Sequence, residues 1–335
     1  VNLKLKPLPD QVMLITGASS GIGLVTARMA ASRGARVMLV ARDGETLAGV
    51  AREIEASGGS ADFAIGDVGD LRDMQRAATK TVERFGRIDT WVNAAGVAIY
   101  GKLLDTPMDE HEKLLRTNYF GAVHGCLTAV EHLQREGGAI ITVGSIVSDI
   151  PSPGMGAYAA SKHAVKGYVD SLRIEIIADR LPVAVTLIKP AGIDTPIADH
   201  AANHLGGAAL LPPPVYAPEL VAEAILDAAQ HRRRDVTVGG MGRLQVLGAL
   251  HFPTLLDRLG PLLLPWLRDP TRAASQHDNL AAPVNGGHER SADQHGRRVS
   301  VYETVGRHRF ATATVTGAAL GLAALTWLRQ RSADQ

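Results

Sequence analysis

Four side chains of this sequence could do chemistry together: Asn118, Ser145, Tyr158 and Lys162. Tyr158 and Lys162 stand four residues apart in YAASK, so a helix through them presents both on one face. A phenol has a reference pKa of about 10, too high for efficient proton exchange near neutrality. A neighbouring ammonium favours the phenolate and draws that value down. Such a pair is suited to acid/base work on an oxygen atom. Ser145 directly follows the apolar run AIITVG, which puts its hydroxyl at the end of a strand.

A second group of residues has the chemistry of a nucleotide site. In VMLITGASSGIG a strand leads into Gly17, Ser19, Ser20, Gly21, Ile22 and Gly23 at the mouth of a helix. Glycines let the backbone approach a pyrophosphate, and the helix N-terminus supplies N–H donors and a positive dipole end. The next strand, ARVMLVA, ends in Arg42 where an NAD site would carry an acid for the ribose 2′-hydroxyl. A guanidinium pairs instead with a 2′-phosphate, which points to NADP(H). The bland alternative is an arginine paired locally with Asp43. Two further strand ends carry Asp67 with Val68, and Asn93 with Ala94, Ala95 and Gly96, small or polar residues suited to adenine and ribose.

The elements that must position these groups alternate along the chain. Short apolar runs VMLIT, ARVMLVA, ADFAI, IDTWVN, AIITVG, VAVTLI and DVTVG read as strands. Helical stretches at 21–33, 45–57, 74–85, 108–134, 158–179 and 218–231 lie between them. This order predicts an α/β fold with a doubly wound parallel sheet, ligands sitting at the carboxyl ends of the strands. The expected organisation is one catalytic domain over 1–240, an apolar helical extension over 241–268, a flexible linker over 269–305 and a hydrophobic helix over 306–335. Prolines 253, 261 and 265 break the extension into short helices.

Taken in order, TGASSGIG, Asp67, NAAG, Asn118, Ser145 and YAASK resemble the motifs of the classical short-chain dehydrogenase/reductase family, over roughly residues 11–240. The resemblance implies a Rossmann fold and an NADP(H)-dependent oxidoreductase that interconverts a secondary alcohol and a ketone. It makes Tyr158 the general acid/base, Lys162 its partner and holder of the nicotinamide ribose, and Ser145 the group that orients the substrate oxygen. Asn118 would hold a water linking Lys162 to a proton relay. Pro190, Gly192, Ile193 and Thr195 would contact the nicotinamide, although Ala191 stands where the family places glycine. By the same resemblance, 194–216 is a lid over the substrate and helices 108–134 and 158–179 pair subunits in a homo-oligomer.

Composition narrows the field. With 35 basic against 34 acidic side chains, the net charge of +1 gives no electrostatic support to nucleic-acid binding. Cys126 has no cysteine to pair with, and His200 and His204 lack a third ligand, so no metal site is expected. The opening VNLKLKPLPD has no signal-peptide core, which places the catalytic part in the cytoplasm. The lid stretch LGGAALLPPP is apolar and without a cation, favouring a hydrophobic carbonyl or alcohol substrate.

Residues 310–328 carry no charge and would span about 28 Å as a helix, close to the hydrocarbon thickness of a bilayer. Their expected places are across a membrane, on its surface, or against the enzyme. Two other functions fit part of the pattern: an NADP(H)-binding sensor without turnover, and a membrane-associated scaffold working through its tail.

Overall fold

The structure is a computed structural model, which describes residues 3–275, 277–284 and 286–297. Seven strands form its centre: β1 (Val12–Thr16), β2 (Arg36–Ala41), β3 (Ser60–Ile65), β4 (Thr90–Asn93), β5 (Gly138–Val143), β6 (Val183–Pro190) and β7 (Asp235–Val238). All pair in parallel, in the order β7-β6-β5-β4-β1-β2-β3. Every residue of β1 and β5 is buried, which is why these strands read as continuous apolar runs.

Alternation along the strands divides the core between the two faces. Met13 and Ile15 pack with Ala27 and Ala30 of α1 (Gly21–Ser32), with Leu47 and Val50 of α2 (Gly44–Ala56), and with Val221 and Ile225 further along the chain. Val12 and Leu14 face the other way, onto Met74 and Ala77 of α3 (Leu71–Phe85). That second face continues over Cys126 and Ala129, then Val165 and Val169.

The stretch expected as one helix over 108–134 is three pieces. Helix α4 (Met108–Leu115) passes through a π-helical turn, Arg116–Phe120, into α5 (Gly121–Leu133). The wider turn inserts a residue into the helical repeat, and Asn118 lies within it. Helix α6 (Gly156–Ala178) carries Tyr158 and Lys162 in its first two turns, and α7 (Pro218–Gln230) covers the opposite face.

After β7 come α8 (Gly240–His251), α9 (Pro253–Leu259) and a 3₁₀ stretch, Gly260–Leu267. Proline at the head of α9 and at 265 keeps these pieces short. Two small ladders tie the lid region to the body: residues 99–100 with 202–203, and 208–209 with 268–269. The region expected as a linker, 269–305, is described as far as residue 297 and there follows the surface of the domain as irregular chain. Among the described residues no helix is long and apolar enough to cross a membrane. The uncharged run at 310–328, and with it the anticipated C-terminal helix, lies outside the described residues.

Candidate active site

The sheet order reverses between β1 and β4, and a cleft opens at their carboxyl ends, where the family of parallel α/β sheets places ligands. The glycine-rich loop forms one wall. Gly17, at φ +68°, passes so close to the β4 loop that an added Cβ would lie 2.7 Å from Ala95 Cα. A Cβ on Gly23 would lie 2.2 Å from Gly17 O, so α1 can start against the strand only with glycine there. Thr16, at the end of β1, secures the facing loop: its hydroxyl oxygen accepts the N–H groups of Ala94 at 3.1 Å and Ala95 at 3.3 Å. Sequence reasoning had passed over Thr16, although it opens the TGASSGIG motif.

Gly17, Ser19, Ser20, Gly21, Ile22, Gly23, Arg42, Asp67, Val68, Ala94 and Gly96 line this cleft together with Ser145, Tyr158, Lys162, Pro190, Gly192, Ile193 and Thr195. Two anticipated residues are not among its lining. Asn93 points into the core, accepting from Trp91 Nε1 at 2.8 Å and donating to Thr142 Oγ1 at 3.2 Å. Asn118 is buried beside the cleft. Its amide donates to Val97 O and Ser161 Oγ, both at 3.0 Å, and its oxygen accepts from Val97 N at 2.8 Å. The side chain thereby braces the β4 loop against α6 under the reacting groups.

Arg42 does not spend its guanidinium on its neighbour Asp43. Asp43 caps α2, accepting from Thr46 N at 3.0 Å, while Arg42 Nη2 donates to the Asn279 carbonyl at 2.6 Å. Asp67 turns one carboxylate oxygen back to Gly69 N at 2.8 Å. At Ala191, where the resemblance expects glycine, the chain is tied to its neighbours by backbone bonds. Ala191 N bonds to Val238 O at 2.8 Å, and Gly192 O accepts from Tyr216 N at 2.8 Å, which holds the loop after β6.

Ser145 heads a 3₁₀ turn, its oxygen accepting from Val147 N at 3.3 Å and its hydroxyl donating to Pro190 O at 3.5 Å, and it lines the cleft with Tyr158. Lys162 Nζ donates to Val143 O at 2.9 Å and stands 5.6 Å from the centre of the Tyr158 ring. Burial dominates both titrations. It pushes the Tyr158 phenol up to about 12, with Ser145 pulling weakly the other way. It draws the Lys162 ammonium down to about 8. Tyr158 is only partly buried as a residue, but its hydroxyl end lies deep, which is what sets the direction.

Much of the remaining wall is apolar, from Val147, Met155, Ile197, Leu211, Pro212 and Leu267, with Thr117 and Ser152 as polar exceptions. Leu267, from the extension after β7, and Asn279, Pro283 and Val284, from the segment expected as a linker, also reach the cleft. Nothing in their local sequence marked them. His200 lines the cleft as well, and burial holds its imidazole below the ordinary histidine range, with Asp199 opposing. His204 is engaged elsewhere, with Glu110 Oε2 at 2.7 Å.

The chain is similar to known proteins. The family model for short chain dehydrogenase matches residues 11–205. An uncharacterized oxidoreductase of Bacillus subtilis (strain 168), YxnA, is 41% identical over 308 residues, which cover 90% of this chain and 86% of that protein. A crystal structure of a short-chain dehydrogenase/reductase from Burkholderia phymatum in complex with NAD is similar with a TM-score of 0.65 at 24% identity, covering 78% of this chain and 96% of that one. The alcohol dehydrogenase of the archaeon Thermococcus sibiricus, complexed with 5-hydroxy-NADP, gives a TM-score of 0.60 at 26% identity, over 68% of this chain and 95% of that one.

Proposed function

The chain belongs to the short-chain dehydrogenase family, and from that premise we propose an NADP(H)-dependent oxidoreductase interconverting a secondary alcohol and a ketone, with Tyr158 as general acid/base. The observation that carries this reading is the meeting of Ser145, Tyr158 and Lys162 in one cleft with the glycine-rich loop.

The donor set fits a nicotinamide dinucleotide. Helix α1 begins at Gly21, so its first-turn N–H groups and dipole end belong to the loop lined by Ser19, Ser20 and Ile22, where a pyrophosphate would be held. Arg42 would take the 2′-phosphate, and Asp67 and Val68 the adenine. Pro190, Gly192, Ile193 and Thr195 would take the nicotinamide, and Lys162 its ribose. The cofactor, when bound, supplies or accepts the hydride.

The protein handles the proton. Ser145 donates to the substrate oxygen and holds it beside Tyr158. Tyr158 gives its proton to a carbonyl oxygen becoming an alkoxide in reduction and takes it back in oxidation. Among the described lining residues the lysine and arginine side chains are Arg42 and Lys162, both already assigned, and Val147, Met155, Ile197, Leu211 and Leu267 outnumber the polar Ser152 and His200. That supports a neutral, hydrophobic ketone or alcohol. Exposed Phe120 at the end of the π-helical turn and Leu127 on α5, with Ile174 and Ile177 on α6, support pairing of subunits through these helices.

The test is NADPH oxidation against a panel of hydrophobic ketones, in wild type and Tyr158→Phe. The variant should lose roughly a thousandfold or more in kcat, within the range of a lost proton donor, and bind NADPH unchanged. A variant that keeps a tenth of wild-type kcat, a loss of only ~1.4 kcal/mol, refutes the assignment of Tyr158.

A further inference from the structure

Residues 277–297 have the composition of a linker, yet their bonds go to the loops that frame the nucleotide cleft. On the glycine-rich loop, Gly287 N donates to Ser19 O at 2.8 Å and Gly21 N donates to His288 O at 2.9 Å. Gly286 is needed for this approach, because a Cβ there would lie 2.9 Å from Thr46 Cγ2 and 3.0 Å from Ser19 O. At the far end of the cleft, the Asn279 carbonyl accepts Arg42 Nη2 at 2.6 Å, and Asn279 N donates to His200 O at 2.9 Å. Leu280, 5% exposed, anchors that corner among Val97, Ile99 and Ala157. Between these fixings Pro283 and Val284 face the cleft.

The third fixing is on the loop after β6. Asp194, its side chain 1% exposed, lies between Ile193 and Thr195, both of which line the cleft. Its carboxylate accepts Arg290 Nη1 at 3.0 Å, Ser291 N at 3.1 Å and Gly296 N at 2.9 Å. Arg290 also reaches Glu219 Oε1 at 2.5 Å. A carboxylate this deep requires such partners, since an unpaired buried charge is strongly unfavourable. The segment has no apolar periodicity to fold on its own, and ordering it costs backbone entropy. Among the bonds that offset this cost, one group falls on three loops of the cleft, and others go to Arg28, Leu211 and Val215.

We propose that residues 277–284 and 286–297 form a clasp over the dinucleotide site, a wall of that site which retains bound cofactor, with the Arg290–Asp194 ion pair as its latch. This rests on the nicotinamide-cofactor reading above. Bound cofactor lies under the clasp, so leaving requires the segment to lift from Ser19, from Gly21 and from Asp194. Weakening either the latch or the glycine-loop contact lets it lift more often. Arg290 is the better target than Asp194, because it is 29% exposed and its loss leaves the core packing alone.

The test uses the full chain with NADPH and NADH as probes, following release by stopped-flow displacement of the reduced-nicotinamide fluorescence. Arg290→Ala and Gly286→Val act on two different fixings of the clasp, the Asp194 latch and the glycine-loop contact, and each should speed NADPH release roughly tenfold or more. In wild type, hydrogen exchange at the amides of Gly287, Ser291 and Gly296 should slow when NADPH is added, a readout independent of either variant. Unchanged release in both variants, with no NADPH-dependent protection in wild type, overturns the clasp and leaves the cofactor reading standing. Tighter NADPH binding in the variants overturns it too, because the segment would then be a block on the site. Failure of wild type to bind either dinucleotide overturns the cofactor reading and the clasp together.

Discussion

Replacing Lys162 with methionine should make the protein more stable while removing its activity. Lys162 is 5% exposed, and burial lowers the pKa of its ammonium from the ordinary 10.5 to about 8. At 1.36 kcal/mol for each pH unit, holding the charged form at pH 7 costs roughly 3 kcal/mol of folding stability. Methionine has a similar unbranched shape and no charge to desolvate. It forfeits the 2.9 Å bond to Val143 O, worth about 1 kcal/mol. The net gain is about 2 kcal/mol, which for a chain of this size raises Tm by about 3 °C.

The pH dependence gives the sharper check. The folded pKa is the lower one, so between about 8 and 10.5 the unfolded chain binds more protons than the native one. Wild-type stability therefore rises through this window as the cost of burying the ammonium disappears, and the methionine variant lacks that rise. The Tm advantage of Lys162→Met should be full below pH 8 and close toward pH 10.5, the upper end set by the ordinary value. Tyr158 titrates higher, at about 12, and is common to both proteins. Thermal melts by circular dichroism at intervals from about pH 7 to 10 measure the gap. A variant that melts below wild type at neutral pH, or a gap that stays constant with pH, refutes the argument that Lys162 is held charged at the expense of stability.

Arg42→Ala should weaken NADPH binding tenfold or more and NADH binding less than about threefold, since only NADPH offers the 2′-phosphate for a charge-assisted pair. Equal losses measured by fluorescence titration would remove Arg42 from the cofactor assignment. Cys126 is fully buried, with a thiol pushed up to about 12. It should not react with an aromatic disulfide reagent at about pH 8 in the native protein and should give one equivalent in denaturant. Rapid native labelling would contradict its place in the core.

Much of the fold was legible because its signals are local. β1 is VMLIT in sequence and in space, since a strand covered on both faces has to be apolar throughout. Helix α6 likewise brings Tyr158 and Lys162 to one side, because the 3.6-residue period fixes where the fourth residue falls. The glycine-rich turn was legible for the same reason, each glycine answering to a steric demand between a strand and the helix that follows it. The π-helical turn holding Asn118 was hidden inside an unbroken helical pattern, as a one-residue insertion in the repeat leaves no compositional trace.

What the tertiary structure decided depends on partners far away in the chain. Asn93 sits at a strand end that suits a ribose, but the core claims its amide through Trp91 and Thr142. Arg42 meets Asn279, 237 residues on, and Asp194 meets Arg290 across 96 residues, pairings that no local pattern encodes. The sequence determined which residues can exchange a proton and cradle a phosphate, because that follows from side-chain chemistry and helical or strand period. Their burial, and with it the upward shift of Tyr158 and the downward shift of Lys162, exists only once the sheet, the lid and the segment over the cleft have come together and excluded water from them.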